Sequence, residues 1–430
     1  MGGEISASTF GTGPAGDVTV NARSLLVDRM GAETFTGLAS QANSGPTGAG
    51  GSVNLTLTDT LTVQNGGRIS ASTWGEGPAG DVTVNARNLL VDGMGYDGFT
   101  GLASSAGDGS TGAGGSVNLT LTDTLTVQNG GEISAGTFSK GNAGDVTVSA
   151  SNLLVDGMGH EGFTGIDSQT NPTALSDGGN VTVSVADTLT VKNDGRISVR
   201  SFSGEGNAGE LKVNAPYLTL TDGGSIVATA SDTTGGNVTI DADYLKLLNG
   251  SAISSSAFGD VFGSDGGNVT IHSINIVALN GSTVTARAEE FQGGRIRIEA
   301  QTFLYDAPTV DGVLSATGGH SGNDGTVEVN APNIDISGSL ANLNPAYLDV
   351  AHHVNPRCFV GDRDERSHFL IHGRGTLPLG PDEAIPAPVS RCLPAEPVAL
   401  ASSAADVPTE RPSPAPVAQP PAAVLGFNNR

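Results

Sequence analysis

The sequence predicts an all-β protein: a parallel β-helix, or solenoid, of about eleven three-stranded coils, closed by a C-terminal segment and followed by a Pro/Ala-rich tail. Three observations carry that reading: an internal repeat, strand-like alternation with no helical stripe, and a recurring turn residue. The repeat is seen in Gly66-Gly67-Arg68-Ile69-Ser70-Ala71-Ser72, which returns as Gly2-Gly3-Glu4-Ile5-Ser6-Ala7-Ser8 and Gly130-Gly131-Glu132-Ile133-Ser134-Ala135-Gly136. A worn copy spans Asp194 to Arg200, so the isoleucines fall at 5, 69, 133 and 197, each 64 residues apart. Valine-rich openings at Val18, Val53, Val82, Val117, Val146, Val181, Leu211, Val238, Val269, Ile296 and Val327 divide that period into two alternating units of 27–35 residues.

Each unit reads as three short strands, which in the second are Val53–Leu57, Leu61–Val63 and Ile69–Ala71. All three alternate apolar with small polar residues, the period of a half-buried strand. Val, Ile, Leu and Thr dominate, as pleated surfaces prefer. A strand this short cannot stand alone, and one unit cannot enclose a core. Stacking solves both problems, because each unit pairs its backbone with the units on either side. Just after the second strand comes Asp or Asn: Asp28, Asn65, Asp92, Asn129, Asp156, Asn193, Asp222, Asn249 and Asn280. These residues tolerate the left-handed conformation and would stack as a hydrogen-bonded ladder.

The repeats fill residues 1–339, a compositionally distinct segment 340–378 is placed to cap the last coil, and 379–430 is Pro-rich and without periodicity. The start in mid-repeat suggests a fragment that lacks an N-terminal region. Gly supplies 63 of 430 residues and aromatics only 4%, which suits frequent turns and a thin core rather than a thick one. A net charge of −24 argues against nucleic acid as a partner. No apolar run is long enough to cross a membrane as a helix.

The words Gly141-Asn142-Ala143-Gly144-Asp145-Val146-Thr147-Val148 and Asn65 to Thr73 resemble the repeats of filamentous haemagglutinin-like exoproteins of two-partner secretion. Tyr347-Leu348-Asp349-Val350, Pro356-Arg357-Cys358 and Ser367 to Pro378 resemble that family's end segment, with Thr376 where a glycine is expected. The resemblance covers about residues 2–380. It implies a right-handed parallel β-helix, secreted through an outer-membrane transporter that recognises a missing N-terminal domain. It further implies a surface-associated adhesin or filament.

Several groups invite a chemical role. Phe10, Trp74, Phe138, Phe202 and Phe258 hold one position on every second coil, about 10 Å apart. The preferred reading is that each pins its own long loop against the flank; the functional alternative is a row of stacking platforms for sugar rings, with host or matrix glycans or surface proteins as the partners such a rod would meet. An enzyme acting on polysaccharide is the competing function, since such catalysts need carboxylates converging on neighbouring coils. Asp17, Asp81 and Asp145 stack in register and so serve the repeat. Glu4, Arg68, Glu132 and Arg196 alternate in sign two coils apart, too far for direct pairing. Gly107-Asp108-Gly109 and Ser264-Asp265-Gly266-Gly267 read as loops rather than calcium sites. His352, His353, His368 and His372 match no standard metal spacing. Cys358 and Cys392 would be able to form one disulfide in an exported chain. The sequence thus calls for no cofactor, metal or catalytic residue, and for an adhesin-like rod.

Overall fold

A computed structural model describes residues 2–45, 48–138, 140–171, 176–202, 206–259 and 263–335. The segments 340–378 and 379–430, the four histidines and the Cys358–Cys392 pair lie outside the described residues. The described part is a parallel β-solenoid, with strand pairing that is parallel throughout and helix confined to one turn at Val310–Gly312.

The valine-rich openings named above form one column. Val18 pairs with Val53, Val53 with Val82, and the series runs through Val117, Val146, Val181, Leu211, Val238, Val269 and Ile296 to Val327. The 64-residue isoleucine repeat is likewise filled in by the alternate coils. Ile5, Leu38, Ile69, Leu102, Ile133, Ile166, Ile197, Ile226, Ile253, Val284 and Leu314 make a single stack. Away from its ends this stack is sealed from solvent, while Ile5 at one end keeps half its surface exposed. Because every coil delivers the same few apolar side chains to the same place, the core is one continuous thread and the repeat is its cause.

The coil's first strands pair with first strands and its second strands with second strands, and the two ladders join into one seventeen-stranded sheet; the third strands form an eleven-stranded sheet of their own. In five coils the first two strands run on without a break, as Val146–Asp156, Val181–Lys192, Asn237–Leu247, Asn268–Ala278 and Arg295–Tyr305. Between the first two of these the corner holds a bulge, seen as a register shift between Ala150 and Asn152, while the later three keep one register through the corner. Sequence periodicity does not separate a bend of this kind from a turn.

The third strand begins with glycine on alternate coils, and the reason is backbone contact. Gly37, Gly101 and Gly165 adopt φ of +146°, +148° and +154°, and a Cβ on any of them would lie within 1.8 Å of the carbonyl oxygen of Arg68, Glu132 or Arg196. No side chain fits there. The outer face of the third sheet therefore has bare positions between charged ones.

Candidate functional site

The outer face of the third sheet is the surface where long loops and unusual side chains gather. Along its strands three outward positions repeat, occupied in successive coils by Glu132, Ser134 and Gly136, then Gly165, Asp167 and Gln169, then Arg196, Ser198 and Arg200. Most other coils place serine or alanine at the middle position, as at Ala39, Ser70 and Ala103.

The predicted aromatics lie along one edge of this sheet. Thr73 bridges to Ala106 and Ala106 to Thr137, which sets Trp74 and Phe138 two coils apart on the same column. Phe10, Trp74, Phe138 and Phe258 keep 83%, 37%, 41% and 58% of their surface in solvent, so these rings are displayed rather than packed away. Trp74 does some of both. A Cβ on Gly107 would sit 2.3 Å from its indole nitrogen, so the ring rests on the backbone of the next coil. Phe202 departs from the row, because it is half-buried and lies 5.3 Å from the Arg200 guanidinium. Phe163 meets the same guanidinium at 5.6 Å.

At the centre of the face is a cluster that the 64-residue repeat does not reveal. Asp167 has no exposed surface. Among the described residues, seven buried side-chain polar atoms have no hydrogen-bond partner, and five are here: both Asp167 carboxylate oxygens, Arg196 Nε, Ser198 Oγ and Arg200 Nε. Arg200 Nη2 donates to Gln169 Oε1 at 3.0 Å. Burial pushes Asp167 up to about 6, with Ser134 beside it and the charge of Arg200 working against the rise. Glu132, one coil earlier, is pushed up to about 8, first by burial and then by the like charge of Asp167. The alternation of Glu132 and Arg196 thus has a third member between them, supplied by the intervening coil. A clue stands in the sequence: Gly37-Leu38-Ala39-Ser40 and Gly101-Leu102-Ala103-Ser104 align with Gly165-Ile166-Asp167-Ser168, where a carboxylate replaces a methyl group.

The Asp/Asn series is two interleaved devices rather than one ladder. Asn65, Asn129, Asn193, Asp222, Asn249 and Asn280 are left-handed, with φ between 51° and 56°. Asp28, Asp92 and Asp156 are not; they end their strands, in register with Gln64, Gln128 and Lys192. Longer corners shift the left-handed position two residues on, to Met30, Met94 and Met158. The two devices are bonded to one another where Asn65 and Asn193 donate to Asp28 and Asp156, and further along the left-handed residues bond among themselves, Asn249 donating to Asp222 and Asn280 to Asn249. Gln64 holds the Asp28 carboxyl below its usual range. The Asp156 carboxyl is also lowered: burial opposes this, but hydrogen bonds from Asn193 and Lys192 outweigh it.

The methionines went unnoticed in the sequence, although the words Asp28 to Gly31, Asp92 to Gly95 and Asp156 to Gly159 carry them at a 64-residue spacing. Each is exposed and left-handed, with its backbone N–H donating to the preceding Asp. Replacing Met94 by glycine is expected to stabilise the protein by about 1 kcal/mol, since only the left-handed penalty is removed. Chemical denaturation would show this; a destabilised variant would mean that the methionine side chain is a packing element.

The other candidates resolve as follows. Asp17, Asp81 and Asp145 accept the backbone N–H of Ser52, Ser116 and Asn180 at 2.7–2.8 Å, so they tie each coil to the next. Asp265 does the same for Gln292, and among the described residues no cluster of His, Cys, Asp and Glu could hold a metal ion. A second patch that breaks the repeat lies on the other sheet, where Asp241, His272 and Glu299 follow one another in register. His272 Nδ1 is 2.9 Å from Asp241 and its Nε2 is 3.7 Å from Glu299. Arg297 pairs with Glu299 and Arg295 with Glu328 around a groove of about 660 Å³. Its charges are satisfied within the fold.

Fold and surface together define a β-solenoid repeat protein with one polar, aromatic-edged face. No family model matches the chain, and neither the curated proteins nor the solved structures contain a significant match.

Proposed function

We propose that this chain is a non-catalytic, adhesin-like rod that holds glycan chains along the outer face of its third sheet. The observation that carries the proposal is the row of displayed rings, Phe10, Trp74 and Phe138 on alternate coils and Phe258 four coils further on, along a floor of small polar residues. A flat ring edged by hydrogen-bonding groups suits a sugar, which has apolar faces and a polar rim. Spacing of about 10 Å between rings two coils apart lets an extended polymer touch several at once, and weak contacts add through multivalency. Secretion to the cell surface through an outer-membrane two-partner transporter, in the manner of filamentous haemagglutinin-like exoproteins, completes the reading. It rests on the resemblance of the repeat words and of the end segment.

A polysaccharide-cleaving enzyme is the second reading, favoured by one observation: Glu132 and Asp167 lie on adjacent coils and break the repeat. It ranks second because it rests on a single pair of carboxylates, whereas the displayed rings recur along the face.

Trp74 is the only tryptophan, so its fluorescence reports on this face alone. Titration with soluble polysaccharides is expected to change that signal, and Phe138→Ala to weaken the binding about tenfold, or about 1.4 kcal/mol. An unchanged signal across neutral and acidic polymers would remove the aromatic row as a glycan platform. Release of shorter products would instead support the enzyme.

A further inference from the structure

The orphaned atoms beneath the aromatic edge have a chemistry of their own. Asp167 Oδ1 and Oδ2 can only accept when ionised, Arg196 Nε and Arg200 Nε can only donate, and Ser198 Oγ can do either. All are buried, and all belong to neighbouring positions on two adjacent coils. Ser198 stacks on Asp167 at about 4.8 Å, and the two arginines stand about 7 Å to either side of Ser198 along its strand. Leaving such atoms unpaired costs about 1–3 kcal/mol for each group, more where it is charged. The middle position is serine on both neighbouring coils, at Ser134 and Ser198, so the fold does not require a carboxylate at 167.

What would satisfy this set is narrow. A metal ion is disfavoured by two guanidinium groups. A further anion can only accept, so it would leave both Asp167 oxygens unpaired. A hydroxyl both donates and accepts, so two neighbouring hydroxyls could each donate to one Asp167 oxygen and each accept from one guanidinium N–H. We propose that Asp167, Arg196, Ser198 and Arg200 form a subsite for two adjacent hydroxyls of a sugar ring. This deepens the glycan-binding reading above and rests on it. The covering groups are long side chains: Arg196, Arg200, Gln169 and Glu132 are half-buried, and the Arg200–Gln169 hydrogen bond spans the gap between coils. Rotation of these side chains opens the subsite without moving the sheet. Phe163 and Phe202 flank the Arg200 guanidinium and hold its plane.

The test uses the full chain, with a β-1,4-linked glucose hexamer as the calorimetric probe. Asp167→Ser installs the residue of the neighbouring coils, and Asp167→Asn keeps the shape while exchanging one acceptor for a donor. Both are expected to weaken hexamer binding tenfold or more, while Asp167→Ser raises the thermal midpoint. Equal affinity of the wild type and both variants overturns the subsite and leaves the aromatic row standing as a platform. Crystals soaked in glucose read the subsite separately, whether or not the hexamer binds. Hydroxyls seated on both Asp167 oxygens support it, and ordered water alone on those oxygens overturns it.

Discussion

Ile133→Ala is expected to cost about 2–5 kcal/mol, in the range measured for large-to-small changes in sealed cores. Ile133 has no exposed surface and sits between Leu102 below and Ile166 above. The coils on either side present only their own small set of apolar residues, so little can move in to fill the gap. The form of the loss matters as much as its size. A stacked array is stable as a sum of nearest-neighbour terms, so a defect in mid-stack weakens two interfaces and leaves distant ones intact. Hydrogen exchange should show lost protection centred on Gly101–Ala103, Glu132–Ser134 and Gly165–Asp167, with the coils around Ile253 little changed. Ile5→Ala, at a position with 52% of its surface exposed, should cost much less. Uniform loss of protection along the chain would show that the rod unfolds as one unit and would sink the nearest-neighbour picture.

The second large effect is a pH dependence of unusual sign. Glu132 and Asp167 are raised from ordinary values of 4.5 and 3.8 to about 8 and about 6. The folded pair therefore keeps protons that the unfolded chain has released. Their stabilising contribution is fully present below about pH 4 and is lost as pH rises through about 8. Each tenfold difference in proton affinity between the folded and unfolded chain is worth about 1.4 kcal/mol, so the loss is on the order of several kcal/mol. Glu132→Gln cannot ionise and should be more stable than the wild type at about pH 9, with the advantage shrinking towards about pH 5. Asp28 and Asp156 act in the opposite direction, since their lowered values give stability that is lost on acidification. They are common to both proteins and cancel in the comparison. Denaturation curves of wild type and Glu132→Gln that stay parallel from about pH 5 to about pH 9 would end this account.

How much of this was legible in the sequence depends on which direction a residue faces. The inward columns were fully legible, because every coil must deliver an apolar side chain to one thread; each opening from Val18 to Val327 pairs with the next. Corner geometry was half legible. Asp and Asn share a turn chemistry, so composition alone could not show that Asp28 ends a strand while Asn65 bends the chain. Telling them apart requires knowing that the Asp28 corner is two residues longer. Outward positions were least legible, because nothing in the core constrains them. Glu132 and Arg196 were visible as a pair two coils apart. Asp167 was hidden because its own unit repeats in register, with Ala103 and Ala39 holding its place 64 and 128 residues earlier, and a single departure does not show in a search for recurrence. The displayed aromatics were found because they repeat; the central cluster was missed because it does not.

The direction of the hydrogen bonds has a mechanical consequence. In this solenoid the bonds between coils run along the axis of the stack, through two sheets of seventeen and eleven strands. A pull along that axis loads the coil-to-coil interfaces in series and the strands of each interface in parallel. Adding coils then lengthens the rod without strengthening it, and the tensile limit belongs to the interface with the shortest ladders. Between the coils that open with Asn268–Ala278 and Arg295–Tyr305 the third-sheet ladder narrows to Val284–Leu314 and Thr285–Ser315, but ten pairs in the other sheet share the load across that same interface. The solenoid behaves as a chain of unequal links, in which a short ladder in one sheet is relieved by a long one in the other.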